Sequence, residues 1–269
     1  MKFSKGTIAL TLAACALVTI ALAGRRPAAP DAGLRTAGDG AVATENRPVA
    51  AGITAVALDG PINLTLRQGP QPALAVRAEA RLLPNIATDV DGDRLRIAPR
   101  GMLLHPRQPI DVTLTLPRLA TLRIAGSGAS TASGFAGEHL ALALDGAGNL
   151  RFDGRYASAV LTLRGSGALD YAGGAAERIV LDASGSGAAR LTGSARDLHA
   201  TLLGAGELDA GGLPADEVTL VQKGSGNSHV TARGGVSIDM RGSGDVIVAG
   251  QPARRQVQRQ GSGEVVFAE

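Results

Sequence analysis

Six serines recur in one local setting: Ser127, Ser166, Ser186, Ser225, Ser243 and Ser262 each stand between two glycines. A hydroxyl on a tight glycine turn is the arrangement of a nucleophile elbow, but that motif needs a longer strand-to-helix context and a histidine in reach. The four histidines, His105, His139, His199 and His229, fall at unrelated offsets from these glycines, so no nucleophile–base pair is assembled. The Gly-Ser-Gly tripeptides also lack the Lys-Ser/Thr of a phosphate loop. Their small side chains are expected to fill a corner, with hydroxyls bonding from one repeat to the next.

Two further sets carry charge. Three residues after the first glycine of its tripeptide, Glu207, Asn227, Asp245 and Glu264 form an oxygen-rich strip that could draw a hard cation. The corresponding positions of four other repeats are Ala129, Asn149, Ala168 and Ala188, and a solvated acidic edge beside Lys223 and Arg241 is the plainer reading. Five residues after the first glycine stand Arg151, Asp170, Arg190, Asp209 and His229, alternating in sign. If successive repeats lie side by side, opposite charges become neighbours, each exposed pair worth about 0.2–1 kcal/mol. No cofactor is implied, and no catalytic constellation can be built. A rival is a polysaccharide-active enzyme on the same architecture, which would need an acidic pair with Arg in a groove and long loops to shape it.

The elements behind these sets follow from a repeat. Gly-(Ser/Ala)-Gly begins at Gly126, Gly146, Gly165, Gly185, Gly204, Gly224, Gly242 and Gly261, at intervals of 18 to 20 residues. Four residues before the first glycine stand Leu122, Leu142, Leu161, Leu181, Ala200, Leu220, Ile238 and Val257; six after it stand Ala132, Phe152, Tyr171, Leu191, Ala210, Val230, Val248 and Phe267. Apolar residues alternate at period two on both sides of the tripeptide, the pattern of two short strands that each bury one face. One repeat then makes one coil, with coils about 4.8 Å apart. The predicted fold is all-β: a right-handed parallel β-helix of about eight rungs over 120–269, the handedness following from the crossover rule. Arg255 and Arg259 interrupt apolar columns in the last rung, as expected of a polar cap. Residues 51–119, with alternating Ile62/Leu64/Leu66 and Val112/Leu114/Leu116, read as irregular β structure that covers the N-terminal end.

Composition agrees. Aromatics are only 2% of the chain and glycines number 37, which suits a thin, regularly stacked core rather than a globule built on large rings. A net charge of +3, with arginines dispersed, gives no nucleic-acid footprint.

The N-terminus reads as an export signal over 1–23: Lys2 and Lys5, an apolar run from Thr7 to Ile20, then Ala21-Leu22-Ala23 before Gly24. Leu12-Ala13-Ala14-Cys15 resembles a lipobox, and an uncleaved anchor is the third reading. Membrane association would come only through this segment. Residues 24–50, rich in Pro and Ala, read as a disordered spacer. The single cysteine leaves the rest of the chain without disulfides.

The rungs Lys223-Gly-Ser-Gly-Asn227 and Arg241-Gly-Ser-Gly-Asp245, with the stretch from Ala51 through Val112-Thr-Leu-Thr-Leu-Pro-Arg-Leu119, resemble the auto-transporter adhesin head GIN domain family. That resemblance, over residues 50–269, implies a β-helical bacterial envelope protein and brings no catalytic residues. The expectation is a non-enzymatic, exported protein, periplasmic or on the cell surface, that offers a recognition or scaffolding surface to a glycan or an envelope protein. A periplasmic stress-response accessory is indistinguishable from it by sequence.

Overall fold

Each corner glycine meets two demands at once. In a computed structural model of the chain, which describes residues 36–37, 40–101, 103–104 and 106–268, the first glycines from Gly126 to Gly261 all hold positive φ, between 110° and 159°. L-residues avoid that region. From Gly126 to Gly242 the carbonyl of each also lies against the corner below, where it takes backbone N–H groups: Ala147 and Gly148 both donate to the Gly126 oxygen, at 3.1 and 2.9 Å, and Ser166 and Gly167 to that of Gly146 at 3.0 Å. A Cβ on Gly165 would sit 2.3 Å from the Gly146 oxygen, and one on Gly167 would sit 2.2 Å from that of Gly148. Two glycine columns are therefore fixed by stacking. The residue between them turns its side chain outward.

Strands on either side of these corners pair in parallel with the same strands of the next repeat. Gly126 is in register with Gly146, and so on through Gly165, Gly185, Gly204, Gly224, Gly242 and Gly261. The chain is thus a parallel β-solenoid, and its described residues are nearly all β, with one 3-10 turn among them at Leu83–Asn85. Differences in repeat length are absorbed at the second corner, where the pairing slips, as between Ser133 and Phe135 or Arg190 and Ala195. Only some second-corner glycines (Gly134, Gly193, Gly250) hold positive φ. The apolar columns form one continuous buried core from Ile53 to Val248. Inside it Phe152 and Tyr171, on consecutive rungs, stack with ring centroids 5.8 Å apart, and Tyr156 tilts against Phe152 at 6.1 Å.

Two regions differ from the sequence expectation. Residues 55–68 are a full rung: Ala55–Asp59 lies above Thr121–Gly126, and Ile62–Gln68 above the strand that begins at Ala129. A higher layer, Arg94–Pro99 and Ile110–Leu116, stacks in parallel on that rung, and antiparallel strands finish the end. The second difference lies in the stretch 24–50. Val42–Arg47 is a strand paired antiparallel with Leu74–Glu79, so the spacer reading fails there. Its tie is Arg47, whose guanidinium donates to the carbonyls of Leu83 (2.8 Å) and Ile86. The expected export segment, 1–23, lies outside the described residues.

The N-terminal end is clamped by Glu79. This buried carboxylate accepts backbone N–H groups from Gly40 and Gln108, both at 2.9 Å, and from Arg107. The Gly40 N–H above all holds its pKa below the ordinary 4.5, against the opposing pull of burial. Burial likewise pushes the Tyr156 and Tyr171 hydroxyls from 10 up to about 12. The stabilising contribution of Glu79 is present above its unfolded pKa and is lost as pH falls through the depressed folded value. The tyrosine contribution is complete below pH 10 and is lost as pH rises toward 12. Thermal melts should therefore give a plateau that falls at both extremes, and Glu79→Gln should flatten the acid side. An acid limb unchanged in that variant would sink the assignment.

Candidate functional site

The sheet face between the Gly-X-Gly corner and the second corner carries the charge ladder. Pairing sets Arg151, Asp170, Arg190, Asp209 and His229 side by side in that order. Arg151 Nη2 lies 3.2 Å from Asp170 Oδ2 and Arg190 Nη2 lies 3.1 Å from Asp209 Oδ2; His229 Nδ1 is 3.7 Å from Asp209 Oδ1. These pairs are open to solvent, so each adds little to stability. They do fix long side chains into a regular outer row. Three shallow grooves of about 270–330 Å³ border the same row. One is lined by Ala129, Asn149 and Ala168, the next by Arg151, Asp153, Asp170 and Arg190, and the third by Glu207, Asn227, His229 and Asp245.

The oxygen strip has a structural occupation. In four rungs the N–H three residues after the first glycine donates to the second glycine of the tripeptide above, as from Ala168 to the Gly148 oxygen at 3.1 Å. Where the rungs change, a side chain takes over. Asn227 Oδ1 accepts the Asp245 N–H and Asp245 Oδ1 accepts the Glu264 N–H, each at 2.9 Å; Asn63 Oδ1 does the same for Ala129. The Gly226 carbonyl, released by that exchange, accepts a hydrogen bond from Gln222 Nε2, and Ser228 Oγ donates to Gln222 Oε1 at 2.5 Å. Two buried polar side chains thus satisfy each other between rungs. Among the described residues no three His, Cys, Asp or Glu side chains converge as metal ligands.

The serines differ from expectation. All six are exposed, or turned outward at the corner, and among the described residues none of their hydroxyls bridges two rungs; the backbone N–H groups do that work. A second ladder was not anticipated. Seven residues before the first glycine, pairing aligns His139, Ser158, Arg178, Asp197, Glu217, Gly235 and Arg254. Arg178 and Asp197 pair at 3.7 Å, and Glu217 reaches across Gly235 to Arg254. His139 Nδ1 lies 2.8 Å from Ser158 Oγ, but this exposed pair has Arg178 rather than a carboxylate beside it, so nothing orients the imidazole as a base. Asp153 and Asp170 share a groove with two arginines, the signature sought for a polysaccharide-active site. Asp170 is, however, 43% exposed and neutralised by Arg151, the opposite of the desolvated carboxyl that acid catalysis uses.

The family model described as "Putative auto-transporter adhesin, head GIN domain" matches residues 52–252. The chain belongs to this family. Solved structures agree with the head GIN fold. A putative adhesin from Parabacteroides distasonis ATCC 8503 is 21% identical, with a TM-score of 0.79 over 87% of this chain and 100% of that one. A putative adhesin from Parabacteroides merdae ATCC 43184 is 18% identical with a TM-score of 0.75, over 88% and 100%. A putative lipid binding protein from Parabacteroides distasonis ATCC 8503 is 20% identical with a TM-score of 0.75, over 88% and 100%. No curated protein matches the chain. The head GIN fold is thus shared by structures bearing different functional descriptions, and the ligand must be argued from the surface.

Proposed function

We propose that this chain is a non-enzymatic, exported cell-envelope rod that uses its ladder face for adhesin-like recognition of a linear glycan or an envelope protein. The observation that carries this reading is the coincidence, on one face, of the regular Arg151–His229 row and the three grooves beside it. Outward side chains repeat there at the strand spacing, about 4.8 Å, which suits a repetitive extended ligand better than a small molecule. Membership of an adhesin family supports the export and recognition parts of the proposal.

The test is cosedimentation of the purified chain with isolated cell-wall polysaccharide, alongside the Arg151→Gln/Arg190→Gln variant and an assay for released reducing ends. Saturable binding that the variant loses, at unchanged melting temperature and without cleavage, is the expected result. Binding indifferent to the substitutions would remove the ladder face from the proposal. Release of reducing ends would replace it with the polysaccharide-active reading, for which the Asp153–Asp170 groove would be the place to look.

A further inference from the structure

The last rung ends in a strand edge with no partner among the described residues. Arg254–Gly261 pairs on one side with Gly235–Gly242, and every one of its residues is exposed. Val265–Phe267 likewise pairs only with Val246–Val248. Such an edge presents a row of free N–H and C=O groups, a template for one more strand. The rung also lies beyond residues 52–252, the part matched by the family.

Its inward column tells which strand. Arg255, Val257 and Arg259 lie directly beneath Val236, Ile238 and Met240, which are all buried. Arg255 lies over the Phe267 ring, 4.4 Å from its centroid, with Nε on the Pro252 carbonyl at 3.1 Å. Arg259 Nη1 donates to the Gly263 carbonyl at 2.9 Å. Among the described residues neither guanidinium has a carboxylate partner, whereas the outward Arg254 pairs with Glu217. Val257, between them, is 40% exposed.

Three occupants can be compared. An apolar strand would bury two guanidinium groups without counter-charge, which is strongly unfavourable. A second copy of the same edge, antiparallel about a two-fold axis, would set arginine against arginine, which is repulsive. A strand that brings a carboxylate beneath Arg255, an apolar side chain beneath Val257 and a carboxylate beneath Arg259 meets neither penalty. The molecule already uses this solution between its own rungs, where Asp170 follows Arg151 and Asp209 follows Arg190.

We infer that the C-terminal edge is a docking site for an extended acidic polypeptide, added in parallel to Arg254–Gly261, with the inward pattern carboxylate–apolar–carboxylate at alternate residues. The two arginines then have a double effect. They turn away apolar edges, including those of other copies, and select an acidic strand.

The test uses the whole chain and a fluorescein-labelled synthetic peptide with a Glu-Thr-Val-Thr-Glu core, compared with its Lys-Thr-Val-Thr-Lys counterpart, by anisotropy at low salt. The acidic peptide should bind saturably and at least about tenfold more tightly than the basic one. Arg255→Glu/Arg259→Glu should invert that preference. With the unaltered chain, bound acidic peptide should slow amide exchange across 254–261, a readout independent of whether the variant folds. Equal binding of both peptides, no saturable binding, or protection located elsewhere would overturn the inference. The polysaccharide assay above does not involve this edge, so either proposal can fail alone.

Discussion

Gly224→Ala should destabilise the protein by about 3–5 kcal/mol, more than any exposed substitution. Two costs combine. Gly224 holds φ at +138°, and a Cβ there would sit 1.9 Å from the Gly204 carbonyl oxygen. That oxygen is backbone and accepts the Ser225 N–H at 3.0 Å, so it cannot swing aside without breaking the stack. Since each rung of a solenoid rests on its neighbours, rungs after Gly224 should also exchange amide protons faster. Ser225→Ala is the control: its side chain faces solvent, its N–H remains, and the change should stay within about 0.5 kcal/mol. Urea unfolding of the pair is sufficient. If the two variants unfold at the same midpoint, the corner glycines are not fixed by stacking.

Phe152→Ala is the second large effect, about 3–5 kcal/mol. The chain has four Phe, two Tyr and no Trp, so the three-ring cluster of Phe152, Tyr156 and Tyr171 is an uncommon concentration of volume in a core of aliphatic side chains. Phe152 touches both tyrosines, and its removal leaves a cavity that parallel strands, held at fixed spacing, cannot collapse to fill. The tyrosines should separate cleanly. Tyr156 donates to the Leu119 carbonyl at 2.6 Å, and Tyr156→Phe leaves that carbonyl short of a donor, at about 1 kcal/mol. The Tyr171 hydroxyl is buried and has no partner among the described residues, so Tyr171→Phe should be neutral or stabilising. Equal losses from the two changes would mean that Tyr171 has a partner, such as an internal water.

Much of the ladder face is legible in the chain because a solenoid maps a fixed sequence offset onto a fixed spatial neighbour. Arg151 and Asp170, nineteen positions apart, must meet if each repeat is one coil. The same rule hid the rung at 55–68. Val56, Leu58, Leu64 and Leu66 occupy the buried columns, and Gly60 packs against Gly126 as a first glycine would. The intervening residues 69–119, however, displace it by 66 positions instead of about 19, and Pro61-Ile62 replaces the rest of the tripeptide. The second ladder was obscured differently, because Ser158 and Gly235 interrupt its charges and Glu217 finds Arg254 two rungs away.

The repeat, the buried columns, the corner glycines and the parallel stacking can all be read along the chain. These rest on local alternation and on a constant period, both one-dimensional properties. How the N-terminal strands interleave above the first repeat emerges only in three dimensions, because antiparallel and out-of-order pairings have no fixed offset. The direction of side chains at the corners is likewise set by the folded stack. There the carbonyl of one rung takes the N–H groups of the next, which turns the serines toward solvent, and Asn227 Oδ1 and Asp245 Oδ1 each accept a backbone N–H of the following rung. The reason is the same in each case: backbone groups at a corner must find partners, and which partner is nearest depends on the rung above, not on the residue type.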